Sequence, residues 1–275
     1  MRSMLGKRSD IPRCYHWSST TSPPSFPVTI GRPTQPSQGG SAPPTRGVSP
    51  LNECFRFVLG YKNLPFQTVW VEYPDIAPKL KEIGASPNKR LDGSEQYTVP
   101  VLSDPNTGAL ITDSWAIAEY LDETYPEKPI FPNGSKGLIA AFYSAVRTHV
   151  EGYFNFTALR SSQILNERSR EYFISTREVL LGDRVDEWSP EGPKRDAHWE
   201  NLEKKFYGSA KTWYDKVEGK WVMGDTFSYA DMIIASHSLW FKRVHRDDEW
   251  KRIASLHDGK WEKLLAEAEK ECNLA

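Results

Sequence analysis

The sequence predicts a small α/β unit followed by an all-helical unit. Helix and strand patterns alternate from Leu51 to Phe131. From Leu138 onward apolar residues recur only at helical spacing, and no strand pattern of comparable length appears. With 39% hydrophobic and 26% charged residues in a 275-residue chain, the balance is that of an ordinary globular protein. It excludes collagen-like, coiled-coil and wholly disordered classes.

Residues 1–50 stand apart. They hold nine of the twenty prolines, nine serines and six Lys/Arg against one acid, Asp10. Such a composition buries little apolar surface, so residues 1–24 are expected to lack fixed structure. No 7–15-residue apolar stretch marks a secretory signal. Arg2, Lys7, Arg8 and Arg13 are compatible with mitochondrial targeting, although the prolines from Pro23 onward oppose an amphipathic helix there. Phe26 to Ile30, with Pro27 inside it, is the candidate for a strand ahead of the first helix.

Ser49-Pro50 opens a helix that runs to Tyr61, with a serine at the N-cap and proline in the first turn. Phe66 to Glu72 is β-branched and aromatic and reads as a strand. Ala77 to Ile83 is a short helix closed by Gly84. Strands at Tyr97–Leu102 and Ala109–Thr112 flank a turn at Asp104–Gly108. Asp113-Ser114 starts another helix, with Trp115, Ile117, Ala118 and Leu121 on its apolar side. A proline-broken linker, Tyr125 to Pro132, follows. Helical spacing then joins Leu138, Phe142, Ala145, Val146, His149, Val150, Tyr153 and Phe154, and later Trp199, Leu202, Phe206, Trp213 and Val217. The expected division is 1–24 without fixed structure, 25–131 as the α/β domain and 132–275 as the helical domain.

Composition narrows the function. Thirty-five Lys/Arg against thirty-six Asp/Glu give a net charge of −1, with no bulk pull toward nucleic acid. The longest strictly apolar run, Leu138 to Tyr143, is far too short to span a membrane. Three scattered cysteines (Cys14, Cys54, Cys272) provide neither a disulfide framework nor a zinc site, so no metal is expected and a reducing, cytoplasmic setting is the default. Ten Trp, twelve Tyr and twelve Phe point either to an aromatic core or to a site for a flat aromatic ligand.

Four spots carry chemistry. Pro100 interrupts a strand, where a residue without an amide hydrogen is excluded from central positions. It is either an ordinary edge proline or a cis proline that turns the Val99 backbone outward to pair with an extended peptide ligand. Asp113-Ser114 lies where a strand meets a helix start. The pair is either a plain N-cap or a site for an α-amino acid head group, the carboxylate taking an ammonium and the hydroxyl and amides a carboxylate. Ser49 is either an N-cap or a hydroxyl that donates to a thiolate at a helix N-terminus. Ser228 and Asp231, in the run GDTFSYAD from Gly224, form a capping box with a structural role, flanked by the staple pair Phe227 and Met232.

In this order, helix-start serine, Val-Pro, Asp-Ser and capped helix resemble a glutathione transferase over about residues 48–268. More specifically, several runs resemble the fungal class A transferases of wood-decay basidiomycetes, relatives of bacterial β-etherases. These are YKNLPFQTVWVEYPDI from Tyr61, Asp92-Gly93-Ser94, Tyr97 to Pro100, Asp104 to Gly108, and DSWAIAEYLDETYP from Asp113. The resemblance implies a thioredoxin-like N-terminal domain, an all-α C-terminal bundle and glutathione as co-substrate. It implies Ser49 as the thiol-activating residue, Val99 with Pro100 on the glutathione backbone, and Asp113 and Ser114 on the γ-glutamyl group. The expected activity is transfer of the thiol to electrophilic aromatic or aryl-ether compounds in detoxification, by a homodimer. The alternatives are a ligandin that binds polyphenols without turnover and an inactive interaction scaffold.

Overall fold

The computed structural model describes residues 14–19, 49–89 and 93–274. Its four-stranded sheet has the order β2-β1-β5-β6, with β1 (Cys14–Ser19), β2 (Phe66–Val71), β5 (Val101–Asp104) and β6 (Ala109–Thr112). β1 runs parallel to β2, with Cys14 opposite Phe66 and Ser19 opposite Val71, and antiparallel to β5, with Trp17 opposite Val101. Parallel strands need a crossover, and α1 (Pro50–Tyr61) lies between β1 and β2 in the chain.

β1 departs, at Cys14–Ser19, from the expectation that residues 1–24 lack fixed structure; the other residues of that stretch lie outside the described residues. Six residues containing Tyr15 and Trp17, both strand-favouring, lie inside a segment whose average composition is polar. Pairing on both sides gives them the backbone partners that composition cannot reveal. The alternative strand at Phe26–Ile30 lies outside the described residues.

The hairpin strand also differs from the expected Tyr97–Leu102. Its ladder begins at Val101, immediately after the proline that has no N–H to give, and extends to Asp104. Asp104 is fully buried. It accepts from Tyr120 Oη (2.7 Å), Tyr125 Oη (2.6 Å) and the Asn106 backbone and side-chain nitrogens (both 2.9 Å), which ties the hairpin turn to the following helix. α2 (Ile76–Glu82), a two-residue ribbon of β3 (Asn88–Lys89) and β4 (Glu95–Gln96), and α3 (Ser114–Thr124) complete this domain.

The helical domain follows as α4 (Lys136–Val150), α5 (Phe154–Ile164), α6 (Glu167–Leu181), α7 (Pro193–Glu200), a π-helical stretch (Asn201–Tyr207), α8 (Gly208–Tyr214), α9 (Tyr229–Val244), α10 (Asp247–Ala254) and α11 (Leu256–Glu271). α9 is buried along nearly its whole length and packs against α1 of the first domain. Most of the large aromatics serve as core: Trp188, Trp261, Tyr153, Tyr207 and Phe156 are fully buried. One expected core position fails. Leu138 is 77% exposed and the neighbouring Ile139 is buried instead, so the inner face of α4 is turned by one residue at its start.

Polar contacts lock the two domains together. The Lys62 ammonium, buried just past α1, donates to Asp122 Oδ1 (2.8 Å) and to the carbonyls of Tyr125 (2.9 Å), Glu127 (3.3 Å) and Lys128 (3.2 Å). Asp122 in turn accepts from the Ile130 amide (2.8 Å), so one ion pair holds the linker against α1 and α3. Buried Glu53 on α1 pairs with Arg243 on α9, and buried Glu72 accepts from Ser169 and from Asn166 Nδ2 (3.0 Å).

Candidate functional site

In an open α/β sheet, ligands bind beyond the carboxyl ends of the parallel strands. Here that edge lies past Ser19 and Val71. Trp17 faces Val101 and Val101 faces Thr112, so the start of β5 and the end of β6 reach the same edge. The sheet therefore brings Val99, two residues before Val101, and Asp113, one after Thr112, to one end.

Ser49 occupies the N-cap of α1 with extended backbone (φ −146°, ψ 132°), and its carbonyl accepts the first helical bond from the Glu53 amide at 3.4 Å. Its hydroxyl caps none of the α1 amides. A serine that only capped the helix would use its oxygen there. This one leaves a hydroxyl at the positive end of a helix.

The Val99–Pro100 peptide bond is cis, the second of the two readings that the strand-interrupting proline allowed. Pro100 is buried and Val99 half-buried. Asn88 Nδ2 donates to Thr98 Oγ1 at 2.6 Å and holds this segment against β3, a support that sequence reading missed.

Asp113 adopts a left-handed φ of 77° and caps α3, with Oδ1 accepting from the Trp115 (2.9 Å) and Ala116 (3.1 Å) amides. Asp113 itself is exposed. Ser114 is 4% exposed. Burial foremost, against the opposing charge of Arg147, pushes the phenol of Tyr143 on α4 above its ordinary pKa, so it stays protonated. Trp115 stacks on Tyr143 with centroids 5.9 Å apart, and its ring also meets Phe131 at 5.2 Å. In the sequence, Tyr143 stands out only as the end of the apolar run from Leu138.

Ser228 and Asp231 lie away from this chemistry and form the expected capping box. Asp231 is fully buried and accepts from the Ser228 amide (3.0 Å) and hydroxyl (3.0 Å), Tyr214 Oη (2.7 Å) and the Val222 amide (2.9 Å). The free thiol of Cys54 is buried and pushed up to about 12 by that burial, against opposing bonds from Tyr229 and Ser236. It is no nucleophile at neutral pH. Among the described residues, no cluster of three His, Cys, Asp or Glu side chains fits a metal ion, and no helix is long and apolar enough to cross a membrane.

Comparison with known proteins bears on this geometry. Residues 48–124 match the family described as glutathione S-transferase, N-terminal domain, and residues 137–270 match glutathione S-transferase, C-terminal domain. A glutathione S-transferase-like protein, ustS, of Aspergillus flavus is 30% identical over 222 residues, covering 76% of this chain and 79% of its own. A glutathione S-transferase of Ceriporiopsis subvermispora, solved in complex with glutathione, superposes with a TM-score of 0.80 at 37% identity, covering 94% of this chain and 97% of its own. Glutathione transferase GSTFuA2 from Phanerochaete chrysosporium gives 0.77 at 30% identity, over 94% and 97%.

Proposed function

Since this chain belongs to the glutathione S-transferase family, we propose that it takes glutathione as co-substrate and transfers the thiol sulfur to electrophilic aromatic or aryl-ether compounds. Wood extractives and lignin-derived molecules are the substrate class, and detoxification is the role. The glutathione held by the similar Ceriporiopsis enzyme supports the choice of thiol.

In this proposal Ser49 donates to the sulfur, the Val99 backbone ahead of Pro100 pairs with the peptide, and Asp113 and Ser114 hold the γ-glutamyl end. Both capping bonds of Asp113 fall on Oδ1, which leaves Oδ2 to accept from the glutathione ammonium. The amides at the α3 start favour its carboxylate. The thiol loses its proton to solvent. The thiolate then attacks the electrophilic carbon, forming a C–S bond while the C–O or C–halogen bond breaks and the pair leaves with aryl oxide or halide. A free thiol titrates near 8.5, so a helix N-terminus and one hydroxyl that lower it by ~2 units make a largely ionised nucleophile near neutral pH.

The observation that carries the proposal is the Ser49 hydroxyl, placed at a helix start yet capping nothing. The test is incubation of the purified chain with glutathione and either a chlorinated aromatic or an aryl-ether probe. Glutathione-dependent product is expected. Half-buried rings in the helical domain, such as Phe142 and Trp213 with centroids 4.7 Å apart, favour a second reading as a ligandin. Tight polyphenol binding without turnover would select it, and neither activity would select the interaction scaffold. We also propose a cytoplasmic homodimer, checked by fractionation and by sedimentation.

A further inference from the structure

The strand register lays out one edge of the sheet residue by residue. Ser19 ends β1 opposite Val71, the last residue of β2. Trp17 lies opposite Val101, so Val99, two residues earlier, comes level with Ser19. On the other side of β5, Thr112 lies opposite Val101 and Asp113 follows it. In the strand order β2-β1-β5-β6 the edge therefore runs Glu72, Ser19, Val99, Asp113. Neighbouring strands lie about 4.8 Å apart, so about 10 Å separates Val99 from the end of β2.

The β2 end of this edge is closed by the helical domain. α6 is docked onto it by its first turn. The buried Glu72 carboxylate lies at the α6 N-terminus and accepts from the Ser169 hydroxyl and from Asn166 Nδ2 at 3.0 Å. Asn166 is also the α6 N-cap, its Oδ1 accepting from the Ser169 amide at 2.9 Å, so one side chain caps the helix and docks it. The Tyr73 amide donates to Ser169 Oγ at 3.2 Å. A helix N-terminus favours a carboxylate, and these bonds offset the cost of burying it. Behind them the Tyr73 ring meets Phe173 edge-on at 5.3 Å, and the Arg177 guanidinium lies 4.4 Å from the Phe173 ring. At the exposed rim Arg168 grips Asp75 with both arms of its guanidinium, at 2.5 and 2.6 Å. Such a two-armed pair fixes orientation as well as distance.

On the reading that glutathione lies along this edge, with its γ-glutamyl group at Asp113 and its cysteine backbone at Val99, its glycine points toward β1 and β2. A peptide advances at most ~3.6 Å per residue. The glycine therefore ends over β1, and one further residue arrives at Glu72–Asp75. We propose that the Arg168–Asp75 bridge, seated on the Glu72–Ser169 docking, is an end-stop for the thiol peptide. It sets specificity by length: a thiol that ends at the glycine fits, and one that continues past it meets α6.

The test measures affinity by calorimetry for three thiols: glutathione, glutathione lengthened by one C-terminal glycine, and glutathione amide, which keeps the length but loses the terminal charge. The proteins are the wild-type chain, Arg168→Ala and Asp75→Ala, whose altered side chains are exposed enough to be removed without emptying the core. The wild type should bind the lengthened thiol about 5- to 150-fold more weakly than glutathione, the usual cost of forcing a group into occupied space. Glutathione amide should stay near glutathione. Each variant should take up the lengthened thiol and leave glutathione affinity unchanged, whereas a merely structural role would weaken all three thiols together. A wild type that binds glutathione and its lengthened form alike overturns the end-stop and leaves the glutathione reading intact. So does a lengthened thiol that remains excluded from both variants. An amide bound as weakly as the lengthened thiol shows recognition of charge rather than length and also overturns it. A wild type that binds none of the three overturns the glutathione reading itself, and the end-stop with it.

Discussion

The Cβ that Gly60 lacks would collide with the backbone oxygen of Cys272. The end of α1 and the end of α11 therefore meet at a distance that only glycine permits. Alanine within a helix normally gains about 1 kcal/mol over glycine. At position 60 that gain is outweighed, because a carbonyl fixed in the last turn of α11 has to move. We expect Gly60→Ala to lower stability by about 1–3 kcal/mol, the usual cost of overpacking. Urea unfolding checks this, and a raised midpoint would reject the contact.

Lys62 and Asp122 form a buried pair whose removal should be felt across the linker. The ammonium serves one carboxylate and three carbonyls, and no water replaces those bonds when Lys62→Met fills the site. Breaking a buried pair from one side costs about 3–5 kcal/mol, since the remaining charge is left uncompensated. Lys62→Met with Asp122→Asn should cost less than the sum of the two single changes. Strict additivity in a double-mutant cycle by denaturant unfolding would show that the pair is not coupled.

Asp231 and His237 sit two turns apart in α9 and oppose each other in their pH dependence. Burial pushes the Asp231 carboxyl up to about 6 against four hydrogen bonds, from an ordinary value of 3.8. Its native form keeps a proton that the unfolded chain releases, so its stability contribution is full below about 4 and lost as pH rises to about 6. Burial pushes His237 from 6.5 down to about 4, against the bond from its Nδ1 to the Ile233 carbonyl. Its contribution is full above about 6.5 and lost as pH falls to about 4. Each window spans about 2 units, on the order of 3 kcal/mol, so over pH 4–6 the two largely cancel. Asp231→Asn should unmask stability that rises with pH, and His237→Asn stability that falls. Parallel slopes in the wild type and both variants would refute the assignment. Asp231→Ala should in addition lower the melting temperature at neutral pH, since a lost capping partner costs about 0.5–2 kcal/mol.

These contacts differ in how far the sequence discloses them. Ser49-Pro50, Asp113-Ser114 and the Ser228–Asp231 box are visible because their signals are local: Pro50 fits the first turn of α1, and Asp113 and Asp231 accept from amides within three residues. Pro100 is visible because a missing N–H is conspicuous in a strand. β1 was hidden because its stability comes from Phe66–Val71 and Val101–Ser103, far along the chain, while its own neighbourhood is Pro- and Ser-rich. Lys62 looks like an ordinary helix-end lysine until the Tyr125–Lys128 backbone folds over it. Tyr229 reads as a core aromatic beside a capping serine. Its hydroxyl meets the Ser114 carbonyl, 115 residues away.

The sulfur end of the site is tested by Ser49→Ala. Glutathione affinity would rest on Val99, Asp113 and Ser114, so binding should change little. The Ser49 hydroxyl would meet only the sulfur, and its bond strengthens as negative charge develops there. A hydrogen bond to a charged group is worth about 1.5–3 kcal/mol, which is about 10- to 150-fold in rate if it is expressed wholly in the thiolate state. The α1 N-terminus remains in the variant, so a residual activity should survive. The sign follows from linkage: a hydroxyl that bonds the thiolate lowers the bound thiol's pKa, and its removal raises it. Absorbance of the bound thiolate against pH should therefore titrate higher in Ser49→Ala than in the wild type. Coincident titrations would take Ser49 out of the mechanism and favour polyphenol binding over transfer.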